Sequence, residues 1–415
     1  MRRSFSRKSR FEAPGDGSRK LGMSPKIHFG VCGIGYGHAA RSTILIEEFL
    51  RRGWIVSVSS YGDGLRYFKR AGIGAKPVPG ISYGVLPEGK VSIKLTIYKN
   101  ILLPIRFGEQ VSRELSFSED ASLVISDSRA STILAGKILG KPVLTILNQF
   151  NIRVEYPKYK RLIELVEAVA QAPGEIWALS DEILIADYPP PYTISKQNLA
   201  IPESLAEKTS FIGPIMERVE GSAPRKIVCE KYGLDPETAP IILYHASGPS
   251  YERRRLTSLL LPILDKLSGK FQFVATLGGD RPNRSYESLK VFSWVENPVE
   301  LLGVADAVIC RAGQTTLAKA LAAGKPVIMI PIPAHGEQLG NALSVSKQGA
   351  GLALDQEKLS AETLERAIRR ILSNPSFSEK AGEYRDLARK LDPVEYVCSK
   401  ASERVGLAAP GRGRA

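Results

Sequence analysis

The chain has 415 residues, of which 43% are hydrophobic and 24% are charged. This composition excludes a disordered protein, and the length favours two domains of about 150–200 residues each. No apolar run approaches the roughly 18 residues that cross a bilayer. No apolar segment follows the basic N-terminus either, so the sequence predicts neither a membrane helix nor a secretory signal.

The net charge of +14 is unevenly distributed along the chain. Residues 1–22 hold seven basic and two acidic side chains among Ser and Gly, so residues 1–24 are predicted to be a disordered basic tail. The remaining excess of about +9 favours anionic partners, namely nucleotide phosphates, an acidic membrane surface or nucleic acid. A basic soluble protein with no special partner fits the same charge equally well. Because no RNA-binding motif is present, nucleic acid is not expected to bind.

The cysteines and histidines argue against a metal centre. The four cysteines are far apart and form no CxxC pair, and the four histidines are not spaced as metal ligands. This usage favours a reducing compartment without structural disulfides, so a cytoplasmic protein is predicted. We expect neither a bound metal nor a cofactor.

The first half of the chain alternates short β-branched runs with amphipathic stretches. In chain order the pattern predicts strand 26–32, helix 39–52, strand 54–59, helix 63–71, strand 75–78, helix 92–117, strand 122–126, helix 129–139 and strand 142–147. Such alternation indicates a doubly wound α/β domain with a mostly parallel sheet.

A second α/β series follows the polar stretch 217–226. It comprises strands 241–244, 271–275, 289–293, 307–310 and 326–330, with helices 252–267, 315–323, 338–348 and 361–372. A last helical stretch, about 379–405, is long enough to cross back to the first half. The predicted organisation is a tail at 1–24, Rossmann-like domains at 25–213 and 214–378, a returning helix at 379–406 and a flexible tail at 407–415. The binding cleft is expected between the two domains.

A glycine-rich loop, Gly33-Ile34-Gly35-Tyr36-Gly37-His38, links the first strand to the first helix. Glycines there allow a tight turn and let a ligand approach the helix N-terminus, where free N–H groups favour anions. The loop is not the dinucleotide fingerprint, because His38 replaces the third glycine. A histidine at the mouth of a cleft is placed to act as a base. The alternative is a loop or helix-capping histidine without chemistry.

Three polar loops of the second half follow neighbouring strands and should meet in one crevice. At the first, Arg311 to Thr316, the helix start offers N–H and hydroxyl donors suited to a diphosphate, although simple N-capping is an alternative. The second contains Ser247 and Gly248. The third, 332–338, supplies a carboxylate and an amide suited to sugar hydroxyls.

Several of these loop residues resemble the motifs of a known enzyme family. Cys310–Gly313, the turn Ala322-Ala323-Gly324-Lys325-Pro326 and the segment from Gln338 to Ala342 are similar to the MurG family of glycosyltransferases. The loop Gly35-Tyr36-Gly37-His38, with Arg41 after it, is also similar to the PseG group of UDP-sugar hydrolases. The resemblance covers about residues 26–406. It implies the GT-B fold, in which two Rossmann-like domains face each other across a cleft.

The resemblance also implies roles for single residues. His38 would be the base on the acceptor hydroxyl, and Asp127 would orient it or, alternatively, cap the next helix. Further residues on the acceptor side would be Gly35, Gly37 and Arg41. The donor would be held by Ser247, Gly248, Val295, Arg311, Gly313, Gln314, Thr315, Thr316, Lys319, His335, Glu337 and Gln338.

One position departs from the family pattern. MurG-like enzymes carry a glutamate on the ribose hydroxyls, and the spacing from Arg311 puts Lys319 at that place. A lysine side chain has no hydrogen-bond acceptor, so it cannot accept from the ribose hydroxyls and would instead favour a negatively charged group of the donor. Alternatively, Lys319 points to solvent and the ribose is held elsewhere.

The predicted function is an inverting transfer of a sugar from a nucleotide-diphosphate donor, such as a UDP-sugar, to an acceptor hydroxyl. The alternatives are a nucleotide-sugar hydrolase or epimerase on the same fold, or a non-catalytic nucleotide-sugar-binding subunit. The acceptor is expected to be lipid-linked or a cell-envelope glycan. The segment 97–107 mixes apolar and basic residues, which fits either contact with an anionic membrane at its inner face or a helix packed on the sheet.

Overall fold

The structure is a computed structural model that describes residues 24–80, 103–150, 175–217, 223–248, 250–279, 284–285, 289–333 and 335–407. Almost all of the predicted basic tail, the start of the predicted helix 92–117, most of the candidate membrane segment 97–107 and residues 408–415 lie outside these ranges. Among the described residues, no helix combines the length and apolarity that crossing a bilayer requires.

The first domain is built on a seven-stranded sheet in which every neighbouring pair is parallel. Its strands, in the spatial order β3-β2-β1-β4-β5-β6-β7, are β1 (Lys26–Val31), β2 (Ile55–Ser60), β3 (Ala75–Pro77), β4 (Leu123–Asp127), β5 (Val143–Leu147), β6 (Glu182–Ile185) and β7 (Thr209–Phe211). The central strands β4, β5 and β6 are buried along their whole length. A parallel sheet covered on both faces needs such continuous burial, so the core lies on both sides of this sheet.

The helices of the first domain connect these parallel strands. Among the described residues they include α1 (Gly37–Arg51), α2 (Gly62–Arg70), α3 (Leu103–Ser118) and α4 (Ala130–Ile138). The sequence patterns placed these helices and strands β1 to β5 correctly to within a few residues, and the start of the predicted helix 92–117 lies outside the described residues. Strands β6 and β7, of four and three residues, were not predicted.

The second domain repeats the design with another seven-stranded sheet. In the spatial order β10-β11-β9-β8-β12-β13-β14, its strands are β8 (Ile241–His245), β9 (Gln272–Thr276), β10 (Arg284–Ser285), β11 (Leu289–Phe292), β12 (Ala307–Cys310), β13 (Val327–Met329) and β14 (Gly351–Ala353). The pairing of β10 with β11 is antiparallel and the others are parallel. The prediction of two doubly wound α/β units is therefore confirmed.

The helices of the second domain are α5 (Arg225–Tyr232), α6 (Ser250–Leu267), α7 (Pro298–Val304), α8 (Gln314–Ala322), α9 (Gly336–Lys347) and α10 (Ala361–Ser373). Helices α5 and α7 were not predicted. The boundary predicted at residue 213 stays a prediction, although β7 ends before it and α5 begins after it.

The predicted single helix 379–405 is wrong, because the chain forms two helices there. They are α11 (Pro375–Lys390) and α12 (Pro393–Arg404). Asp392 caps the second helix through its side chain, and Pro393 follows at the first helical position, where a missing N–H costs nothing. Helix α11 packs on α8 of the second domain, whereas α12 packs on α1 of the first. Arg52 at the end of α1 also pairs with Glu395 at 2.7 Å.

The two domains are tied together beside α8. The Gln314 side chain donates from Nε2 to the Ala186 carbonyl at 2.7 Å, and the Tyr188 hydroxyl donates to the Ala318 carbonyl at 3.2 Å. The loop 186–195 after β6 makes further bonds, in which the Ser344 hydroxyl donates to the Thr193 carbonyl at 2.8 Å and the Gln348 side chain donates to the Pro191 carbonyl at 2.5 Å. Thus the loop of the first domain is fastened to helices α8 and α9 of the second.

Candidate functional site

A cavity of about 500 Å³ lies between the domains and is lined by loops from both sheets. The structure brings most of the predicted site residues to this cavity: Gly35, Gly37, His38, Ser247, Gly248, Val295, Gly313, Gln314, Thr315, Thr316, Lys319, His335, Glu337 and Gln338. Of the predicted residues, Arg41, Asp127 and Arg311 do not line it. The volume is in the range of sites that hold small molecules.

The glycine-rich loop reaches the cavity because of how β1 pairs with β4. Val31 stands opposite Asp127 in the register, so the loop leaves the sheet beside that carboxylate. Gly33 cannot carry a side chain, since a Cβ there would lie 1.9 Å from the Tyr61 carbonyl oxygen. At Gly37 a Cβ would lie 3.0 Å from the Thr315 hydroxyl across the cleft. The first-domain loop therefore approaches the start of α8 directly.

His38 and Asp127 form a hydrogen-bonded pair at the bottom of this loop. Nδ1 of His38 lies 2.8 Å from Oδ1 of Asp127, with the histidine side chain 19% exposed and the aspartate fully buried. Burial alone would raise the pKa of Asp127, but the Arg41 charge and the hydrogen bonds from Arg41 and His38 outweigh it and hold that pKa well below its usual range. An ionised carboxylate only accepts, so Nδ1 of His38 donates to it, and in a neutral ring Nε2 would be the nitrogen that can accept a proton.

Arg41 is not a cleft residue, contrary to the prediction. Its side chain is 2% exposed, and its Nε donates to Oδ2 of Asp127 at 2.7 Å while Nη2 reaches Oδ1. Nη2 also lies 3.0 Å from Nδ1 of His38, and the Ser42 hydroxyl donates to Oδ2 at 2.9 Å. One helical turn separates Arg41 from His38, so both reach Asp127 from the same face of α1. Arg41 thus neutralises and fixes the carboxylate.

A second buried network lies beneath the first-domain side of the cleft. The Glu114 carboxylate, fully buried, accepts from Arg129 at 2.7 Å and from the Ser59 hydroxyl at 2.6 Å, and lies 2.9 Å from Nε2 of His28. Burial raises the pKa of Glu114, but the Arg129 charge and these hydrogen bonds outweigh it and lower the pKa to about 2. Arg129 lines the cavity, whereas Glu114 does not, and the buried Glu114 carboxylate neutralises the charge of Arg129.

Helix α8 presents its N-terminus to the cavity. No side chain caps it, since Gly313 at the N-cap offers none. The first N–H groups of a helix have no partner within it, and the dipole favours an anion there. The Thr315 and Thr316 hydroxyls line the cavity beside them. Gln314 contributes only its main chain, because its side chain is used in the bond to Ala186.

The prediction that Arg311 binds the donor is wrong. Its side chain is 2% exposed and points into the second domain, where Nη1 donates to the Ile330 carbonyl at 2.9 Å and to Oε1 of Gln356 at 2.7 Å. Burial lowers the pKa of Arg311 to about 10. The side chain fastens the end of β13 to the segment after β14, so it cannot reach a ligand in the cleft.

The loop before α9 supplies a half-buried carboxylate. His335 caps α9 by accepting the Gln338 N–H at its Nδ1 (3.4 Å), and burial lowers its pKa to about 4, so the ring is neutral and Nε2 is a donor. Oε1 of Gln338 accepts the Ile332 N–H at 3.0 Å. Burial raises the pKa of Glu337, and Arg41 and Asn341 lower it in part. Glu337 is therefore the acidic group of this loop that faces the cavity.

Some residues at the cavity were missed by the sequence reasoning. His245 ends β8, one residue beyond the predicted strand, and stands opposite Cys310 in the register beside the α8 loop. Its Nδ1 lies 2.8 Å from the Thr276 hydroxyl. Burial, with the nearby charges of Lys319 and Arg253, lowers its pKa to about 4. The predicted strand ended at residue 244. Extending it by one residue would have placed His245 at the strand end that faces the cleft.

Aromatic rings close the cleft at another point. Tyr36 of the glycine loop lies 6.3 Å from Trp294 of the second domain, and the Arg253 guanidinium carbon lies 4.5 Å from the Tyr36 ring centre. Arg70 lies 4.9 Å from the Trp294 ring centre. Trp294 remains 40% exposed, so an aromatic face is present at this entrance. The pairing joins elements distant in sequence, and no local pattern predicts it.

Two family models match the chain, one in each domain. Residues 25–188 match the model of glycosyl transferase family 1. Residues 250–391 match the model of the glycosyltransferase family 28 C-terminal domain.

Related proteins are also named as glycosyltransferases. An uncharacterized glycosyltransferase of Methanopyrus kandleri is 30% identical over 335 residues, which are 78% of this chain and 91% of that protein. The UDP-N-acetylglucosamine–N-acetylmuramyl-(pentapeptide) pyrophosphoryl-undecaprenol N-acetylglucosamine transferase of Geobacter metallireducens is 25% identical over 209 residues, 47% of this chain and 57% of that protein.

Solved structures share the architecture. The calicheamicin glycosyltransferase CalG4 superposes with a TM-score of 0.64 at 16% identity, covering 94% of this chain and 100% of that chain. MurG of Acinetobacter baumannii gives 0.57 at 15% identity, covering 92% and 99%. At such low identity these likenesses concern the fold, and they confirm the predicted GT-B architecture.

Proposed function

Since the chain belongs to the MurG-like glycosyltransferases of the GT-B fold, we propose that it transfers a sugar from a UDP-sugar to an acceptor hydroxyl with inversion. The observation that carries this proposal is the juxtaposition of two groups across the cleft. The His38–Asp127 pair faces the uncapped start of α8, and Gly37 brings the two sides close together at Thr315.

In the proposed reaction, His38 acts as the general base. Its bare Nε2 takes the proton of the acceptor hydroxyl while that oxygen attacks the anomeric carbon, and the bond from this carbon to the diphosphate oxygen breaks. The nucleoside diphosphate leaves from the opposite face, so the configuration inverts. Asp127 keeps the proton on Nδ1 and stabilises the imidazolium that forms.

The start of α8 stabilises the leaving diphosphate. Fixed N–H dipoles and the Thr315 and Thr316 hydroxyls are aimed where negative charge develops, and such donors act strongly in a site from which water is excluded. Ser247 and Gly248 line the same cavity. Glu337 and Gln338 would accept and donate hydrogen bonds to the donor sugar, and the chain at Val295, beside Trp294, would meet the nucleotide base.

The UDP assignment and the lipid-linked acceptor are supported by the Geobacter relative, whose name specifies a UDP-sugar donor and a pyrophosphoryl-undecaprenol acceptor. We accordingly propose that this chain works at the inner face of the cell membrane on a lipid-linked or cell-envelope glycan. Sedimentation with vesicles of phosphatidylglycerol and phosphatidylcholine checks the membrane contact. Binding that increases with phosphatidylglycerol supports it, and no binding to either vesicle contradicts it.

The decisive experiment measures UDP release from UDP-sugars with and without a membrane extract as the acceptor source. Release that requires the extract, together with a labelled sugar in the lipid fraction, supports the transferase. Release from the donor alone identifies a hydrolase, and a changed sugar on intact UDP identifies an epimerase. A His38→Gln variant is the control, because a non-catalytic binding subunit would be indifferent to this change.

A further inference from the structure

We propose that Lys319 binds the diphosphate of the donor and supplies the positive charge that Arg311 cannot provide. The inference deepens the proposed function and depends on its nucleotide-sugar site. It assigns Lys319 to the phosphate groups of the donor. This part of the site would then recognise the negative charge of the diphosphate and not the ribose hydroxyls.

The first argument is the position of Lys319 on α8. Thr315 and Thr316 precede it by four and three residues, so the three side chains lie on one face of the helix. All three line the cavity. The rise between them is only about 5 Å along the axis. Because helical side chains lean toward the N-terminus, the lysine chain reaches back toward the helix start.

The second argument is that the Lys319 ammonium has no close partner. Within the part of the chain that the structure describes, nothing forms a hydrogen bond or an ion pair with it. The side chain is half-buried and burial lowers its pKa, an effect that the Glu217 carboxylate opposes only in part and from beyond ion-pair distance. A cation withdrawn from water is stable only when paired, so the cavity should receive an anion beside Lys319.

The third argument concerns the neighbouring basic groups. Arg311 is turned into the second domain. Arg253 donates to the Gly248 carbonyl at 2.8 Å and stacks on the Tyr36 ring. His245 is neutral near pH 7, since its pKa is lowered to about 4. Lys319 is therefore the cation best placed to neutralise the leaving group at the start of α8.

A consequence follows for the choice of donor. An ammonium only donates hydrogen bonds, so Lys319 cannot accept from the hydroxyls of a ribose. Removal of the ribose 2′-hydroxyl should therefore change affinity little, and UDP and 2′-deoxy-UDP should bind about equally. Removal of the terminal phosphate should change it strongly.

Calorimetric titration with uridine, UMP, UDP and inorganic pyrophosphate tests this assignment. In Lys319→Gln, we expect the affinities for UDP and pyrophosphate to fall about 10- to 100-fold, the usual range for a charged hydrogen bond, while uridine binds as before. Lys319→Arg keeps the charge and should stay within about threefold of the natural protein. Equal weakening for uridine and UDP, or no change for either diphosphate, would overturn the inference.

The matched control is Lys325→Gln. Lys325 is also half-buried, with a pKa lowered by burial, but it lies beyond the end of α8 and does not line the cavity. This variant should bind pyrophosphate like the natural protein, and a comparable loss would contradict a local role for Lys319. Natural protein that binds pyrophosphate through Lys319 but binds no nucleoside diphosphate would refute the proposed donor and leave this inference standing. Natural protein that binds neither would refute both.

Discussion

Replacing Arg41 by glutamine should destabilise the first domain severely. Arg41 is 2% exposed and contacts both oxygens of Asp127, which is fully buried. Removal of one partner from a buried ion pair costs about 3–5 kcal/mol, because the other charge stays buried and uncompensated. His38 and Ser42 still donate to the carboxylate, at 2.8 and 2.9 Å, so the lower end of that range is expected for Arg41→Gln.

The measurement is urea-induced unfolding followed by circular dichroism at pH 7 and at pH 3.5. In the natural protein the pKa of Asp127 lies below its usual range. Its ionisation therefore stabilises the fold above about pH 4, where an unfolded aspartate is charged, and this contribution is lost as the pH falls further. In Arg41→Gln the carboxylate has no guanidinium beside it. The difference between the two proteins should consequently be largest at pH 7 and smaller at pH 3.5.

Two further variants check the reasoning. Ser42→Ala removes a single hydroxyl donor from the same carboxylate and should cost only about 1 kcal/mol. Adding Asp127→Asn to Arg41→Gln removes both charges, so the double variant should lose clearly less than the sum of the single losses. An Arg41→Gln loss below about 1 kcal/mol, or strict additivity with Asp127→Asn, would refute the assignment of Arg41 as the partner of a buried charge.

Three other predictions concern the proposed catalytic base, the buried network and the domain contact. His38→Gln should lower the transfer rate by about 10²- to 10⁴-fold and leave UDP affinity unchanged in calorimetry, and a tenfold loss of affinity would argue against a purely catalytic role. Glu114→Gln should cost about 3 kcal/mol in urea unfolding at pH 7. The natural protein should lose this contribution between about pH 4 and the folded-state pKa of about 2, and no loss there would contradict the network. Gln314→Ala leaves the buried Ala186 carbonyl unpaired, so amide exchange in the loop 186–195 should become about tenfold faster, and unchanged exchange would show that the bond contributes nothing.

Much of the architecture could be predicted because hydrophobic periodicity reports local structure. The alternation of strands and helices in both halves was clear, and the polar loops at the strand ends were expected to converge. The errors have local causes as well. The break between α11 and α12 is signalled by Asp392 and Pro393, a capping residue followed by proline, but the helical pattern on both sides hid it.

The site was predicted less completely, because side-chain direction depends on packing between distant segments. Arg311 and Lys319 occur eight residues apart in the sequence, yet the first turns into the domain and the second faces the cleft. No spacing rule distinguishes them without the sheet. Arg41 is different, because its three-residue distance from His38 already places the two side chains on one face of a helix. Their shared contact with Asp127 could have been proposed from the sequence.

The bonds from Gln314 and Tyr188 across to the other domain fix where the cleft can open. Both involve α8, so a rotation that leaves them intact has its axis beside that helix. Displacement in a rotation grows with distance from the axis. The proposed phosphate-binding end would then keep its shape while the entrance at Trp294 widens. A donor would enter phosphate first, and the spent nucleotide would leave as the aromatic contacts between Tyr36 and Trp294 separate.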